Sequence, residues 1–104
     1  MTATESRLRL ALDKHGVPEQ NHGGLVRYLD NGIPPGSFLT AVLENNLREA
    51  CACADDDNQR ALFSLVCVLY NDVPSACWGS PAKVKAWIDH RGLEGEPFGP
   101  KVTL

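Results

Sequence analysis

Gly32-Ile-Pro-Pro-Gly-Ser-Phe-Leu-Thr-Ala-Val-Leu-Glu-Asn-Asn-Leu-Arg-Glu-Ala-Cys-Ala-Cys-Ala54 joins a rigid turn to an amphipathic stretch, and a second helical pattern follows almost at once. Glycine and two prolines fix the entry angle, because proline pins φ and glycine tolerates φ > 0. From Pro35 onward, Leu39, Leu43, Leu47, Ala50 and Ala54 follow a 3,4 spacing that Phe38 and Val42 widen. The other side carries Glu44, Asn45, Arg48 and Glu49, with Glu44 and Arg48 in the favourable order for an ion pair. The spacing predicts a single helix over 35–54.

The next helix begins at the triple aspartate. Asp55, Asp56 and Asp57 complement the positive end of a helix dipole, and Asp56 with Gln59 reads as a capping box. The pattern then runs unbroken to Asn71 and is closed by Pro74. Leu65 to Tyr70 alone would also suit a buried strand, but length and caps favour a helix. A helix apolar nearly all round calls for burial on two sides, as a central helix or in a subunit interface.

Outward from this hairpin, three more helices are legible. Glu5–His15 has Thr4 as N-cap and Gly16 as its stop. Gly24–Asn31 carries Leu25, Tyr28 and Leu29 on one side and ends at Gly32. The last opens with Ser80 as N-cap and Pro81 at the first turn, presents Val84, Trp87 and Ile88, and ends at Gly92. The expected fold is all-α, a small bundle of about five helices built on a central antiparallel hairpin. Residues 1–92 form one domain in this reading, and 93–104 an extended, mobile tail. Tyr28, Phe38, Phe63, Tyr70 and Trp87 are spaced as core aromatics.

Composition narrows the function classes. A chain of 104 residues, 43% apolar and 22% charged, suits one soluble globular domain. A net charge of −3 argues against general nucleic-acid binding, although Lys83, Lys85, His90 and Arg91 cluster. The run Leu62–Leu69 is too short for a membrane span, and the polar N-terminus is not signal-like, so a cytosolic setting without membrane contact is expected. Cys51, Cys53, Cys67 and Cys77 lack both a disulfide framework and zinc spacing, and no metal or cofactor is expected. The aspartates lack the alternating spacing of a calcium loop, and capping accounts for them.

Chemistry is sparse. His15, His22 and His90 fall on different elements from the thiols, and no nucleophile-elbow pattern joins them, so the expectation is no enzyme. Cys77-Trp-Gly-Ser-Pro81 is more suggestive: a flat ring stands just before a capped helix start, with Lys83 following. Trp78, Gly79, Ser80, Lys83 and Arg91 are the candidate ligand-binding residues, suited to an anionic nucleotide stacked on the ring. The plainer reading has Trp78 packed against Val84 to fix the approach of the last helix.

Residues 22–88 resemble a family of small uncharacterised proteins of tailed bacteriophages and prophages. The shared words are Arg27-Tyr-Leu, the block from Gly32 to Ala50, Ala54-Asp, Asn58, Leu69-Tyr-Asn, Pro74 and Cys77-Trp-Gly-Ser-Pro. The resemblance implies a phage or prophage origin and the cytoplasm of the bacterial host. It supplies no catalytic residue, because the family has no established activity. Small non-structural phage proteins often bind and block a host component or a defence signal. Three expectations follow in order: a non-enzymatic accessory protein blocking a host component, an oligomeric sponge for an anionic nucleotide, and a DNA-binding regulator. A homo-oligomer, as a dimer, is expected from the doubly apolar helix.

Overall fold

The computed structural model describes residues 3–92, and the expected tail lies outside them. The described chain is all-α: α1 (Ala3–Lys14), α2 (His22–Asn31), α3 (Ser37–Leu43), α4 (Leu47–Cys53), α5 (Asp56–Asp72) and α6 (Pro81–His90). Short 3-10 turns at Glu19–Asn21 and Ser75–Cys77 lead into α2 and α6. α1 packs on α2 and α5, and α3 packs on α4 and α6. The core includes Leu12, Tyr28, Leu43, Leu65, Val68, Leu69, Cys77 and Trp87, each under 2% exposed.

The helix expected over 35–54 is two helices. At the end of α3, Asn45 takes the left-handed conformation at φ 62°. Its N–H donates to Val42 O at 3.0 Å, and that of Asn46 donates to Ala41 O at 2.9 Å. This double bond pattern closes a helix through a left-handed residue, a position asparagine tolerates second only to glycine. Asn46 then caps α4, its Oδ1 accepting the Glu49 N–H at 3.1 Å. Glu44 is consequently the C-cap of α3 and Arg48 lies in α4, so the two lose their i,i+4 register. α1 ends by the same pattern around Gly16, with Val17 N–H on Leu12 O at 2.9 Å.

Smaller corrections concern the caps. α1 already includes Thr4, which is therefore not its N-cap. Asp55, not Asp56, caps α5, its Oδ1 accepting the Asn58 N–H at 2.8 Å. α2 starts at His22, two residues earlier than expected, and takes both Gly23 and Gly24 into its first turn. α6 starts as expected at the Ser80 cap, but its left-handed stop is Arg91 (φ 67°), followed by Gly92 (φ 63°).

Two polar knots hold the bundle. At the α5 start, Asn58 is buried and its Oδ1 accepts from Asn21 Nδ2 at 2.7 Å and Gln20 Nε2 at 3.1 Å. Across the interior, Trp87 Nε1–H donates to Tyr28 O at 2.9 Å, and Tyr28 O–H donates to Cys77 O at 2.6 Å. The bonds of the buried Asn58, Tyr28 and Trp87 satisfy groups whose burial would otherwise cost about 1–3 kcal/mol each. Beside the second knot, the α2 and α6 ends touch backbone to backbone. A Cβ on Gly32 would stand 2.8 Å from Gly92 N, so neither end tolerates a side chain there.

Candidate functional site

The start of α6 is built by a turn tied to the core. Gly79 adopts φ +115°, and its N–H donates to Leu43 O at 2.7 Å, fixing the turn to the end of α3. Ser80 is extended and its Oγ accepts the Lys83 N–H at 3.2 Å. The Lys83 ammonium reaches back to the Ser75 carbonyl at 3.1 Å. Trp78 is half-buried and lies against the hydrophobic core. Trp78, Gly79, Ser80 and Lys83 thus share one corner. Arg91 closes the opposite end of the ten-residue α6, about 15 Å away along the helix. Proline supplies no N–H at the first turn and Ser80 takes that of Lys83, so of the first three helical positions Ala82 brings the one uncapped amide.

A second surface lies in the α3–α4 elbow. Pro35, Ser37, Thr40, Ala41, Glu44 and Glu49 line an open depression of about 300 Å³. Thr40 Oγ1 donates to Pro35 O at 3.1 Å, which ties the proline turn to α3. Glu49 accepts the Cys53 thiol at 3.3 Å, and that bond raises the thiol above its ordinary range. Both charged lining residues are carboxylates. Leu47, two residues from Glu49, is 65% exposed, and Ile33 before the prolines is 46% exposed. The sequence signal for this elbow was Asn45-Asn46 followed by Glu49: a left-handed stop, then an N-cap with an acid three residues on.

The third surface is the outer side of α5. Asn58, Ala61, Leu65, Val68 and Leu69 face inward. Phe63 and Tyr70, seven apart on the opposite side, are each 79% exposed. These two therefore depart from the expected set of core aromatics, whereas Tyr28, Phe38 and Trp87 are buried. The helix has more apolar positions than its inner side can cover, and the bulky surplus is left outside.

Among the described residues, no three or more His, Cys, Asp or Glu side chains gather to hold a metal ion. All four cysteines are free thiols. Among the described residues, no helix is long and apolar enough to cross a membrane. Comparison with protein-family models, curated proteins and solved structures finds no match.

Proposed function

We propose that this chain is a non-enzymatic phage or prophage accessory protein that binds and blocks a component of the bacterial host, in takeover of the cell or in defeat of a defence. The observation that carries the binding reading is the α3–α4 elbow. There a depression of about 300 Å³ holds two carboxylates, and the exposed Leu47 and Ile33 stand two residues from its lining residues Glu49 and Pro35. An acidic hollow with apolar neighbours suits a basic side chain presented by a partner protein, since opposite charge steers encounter and apolar contact retains it. The resemblance of residues 22–88 to small phage proteins supplies the setting.

The experiment is retention of host components from bacterial lysate by immobilised protein, run beside Glu44→Lys with Glu49→Lys. The reading expects one component held by the wild type and lost in the double variant. Retention of nothing overturns it, as does turnover of a nucleotide or peptide substrate by the purified protein.

Nucleotide sequestration has the weaker support. Trp78 is partly accessible beside the α6 start, but Ser80 and Lys83 already spend their polar groups on the fold. Thermal-shift measurement with cyclic and linear nucleotides decides it, because a ligand that binds only the native state raises its melting temperature. Loss of the rise in Trp78→Ala and Lys83→Glu locates the site, and no rise removes this reading.

A further inference from the structure

We propose that two copies of this chain pair through the outer side of α5, antiparallel, with the twofold axis between positions 66 and 67. Phe63, Val66 with Cys67, and Tyr70 recur at the 3,4 spacing of a helix–helix seam. Both rings are 79% exposed, and Val66 and Cys67 between them are half-buried, Val66 packing in part against the core of its own chain. A surface of this kind on one helix of 17 residues, about 25 Å long, is complementary to another apolar helix seam.

A second copy fits because the seam reads alike in both directions. Turned end for end, it brings Phe63 of each copy against Tyr70 of the other, and Val66 against Cys67. Two aromatic contacts form at once, one on either side of the axis. Area sets the scale. An aromatic side chain buries about 150–250 Å², so four rings bring roughly 500–800 Å² at 79% exposure. A standard interface buries about 1,600 Å² in total, and Gln59, Arg60, Val66, Cys67 and Asn71 line the same side of the helix to add to it. The sum suits a reversible dimer and falls short of an obligate one.

Charge selects the direction. Asp55, Asp56 and Asp57 crowd the N-terminal end of α5, whereas positions 61–71 carry no charge and the C-terminal end carries the single Asp72. Parallel pairing sets three aspartates against three. Antiparallel pairing places the two triple-aspartate ends about one helix length apart, beyond the screening distance of roughly 8 Å at physiological salt.

The test is sedimentation of the full chain over a wide concentration range. The expected result is a mass rising from 11.3 kDa toward twice that value. Phe63→Asp with Tyr70→Asp weakens dimerisation about 100-fold or more while the helical circular dichroism stays unchanged. Leu47→Asp, in the elbow, leaves the dimer intact. Direction is read by short bifunctional thiol reagents, with Cys51, Cys53 and Cys67 replaced by serine. Arg60→Cys then links to Asn71→Cys in a mixture, and neither links to itself. A monomer throughout, a dimer insensitive to the double aspartate, or self-linking of Arg60→Cys overturns the proposal. None of these readouts involves a host component, so the pairing stands or falls apart from the proposed function.

Discussion

The α2–α6 seam and the outer side of α5 use the same class of side chain to opposite ends. In the seam, Tyr28 is 1% and Trp87 0% exposed, and the hydroxyl of one and the indole N–H of the other each donate to a carbonyl. On α5, Phe63 and Tyr70 stand almost wholly in solvent. What separates the pairs is the backbone that faces them. Gly32 and Gly92 let the ends of α2 and α6 meet, which closes the seam over its rings. Apolar periodicity marks a side of a helix, and the approach of a neighbour decides whether that side is covered.

The contrast predicts where stability resides. Trp87→Ala removes the largest fully buried side chain and is expected to cost about 3–5 kcal/mol in urea unfolding. A cost below about 1 kcal/mol would end the claim that the seam is the stabilising region. Gly32→Ala forces a left-handed φ of 68° on alanine and drives its Cβ into Gly92 and Arg91 backbone. About 2–3 kcal/mol is expected, read as a lowered unfolding midpoint, because backbone on both sides has little room to yield.

Tyr28→Phe sharpens the comparison, since it deletes only the hydroxyl that donates to Cys77 O. The stranded carbonyl is expected to cost about 1–3 kcal/mol in the same titration. Alkali addresses the same knot. Burial pushes the Cys77 thiol up from 9.0 to about 12 and raises the Tyr28 phenol above its ordinary 10.0. The unfolded chain gives up these protons first, so their contribution is complete below pH 9 and is lost as pH rises toward 12 and beyond. Unfolding midpoints should fall over that window, by up to about 1.4 kcal/mol per pH unit for each group. A flat profile would mean that neither group is held away from water. The smallest effect belongs to α5: Phe63→Ser at dilution, where the chain is monomeric, should change stability by less than about 0.5 kcal/mol.

Much of the fold was legible because its signals are local. Ser80-Pro81, Gly16 and Gly32 each act on their own turn, and the caps and stops at those points follow from residue chemistry alone. The elbow was readable in principle, but Asn45 lies within an apolar pattern that continues on both sides, and periodicity masked the stop. The Asn58 knot and the bond from Trp87 to Tyr28 span 37 and 59 positions. Nothing local announces such partners. The fates of Phe63 and Tyr70 depend likewise on which side of α5 the other helices occupy. Of the candidate site residues, Trp78 to Lys83 meet because they are consecutive around one turn, and Arg91 lies apart because a full helix intervenes.

The burial of Cys77 gives the chain an internal gauge of its own integrity. Cys51 is exposed and Cys53 and Cys67 are half-buried, while Cys77 is wholly enclosed, its Sγ on Pro74 O at 3.0 Å. Only the thiolate reacts readily, and both enclosure and the raised pKa keep this sulfur in its inert form. With the other three thiols replaced by serine, the rate at which a thiol reagent labels Cys77 would report how often the core opens, with no foreign group built into the chain.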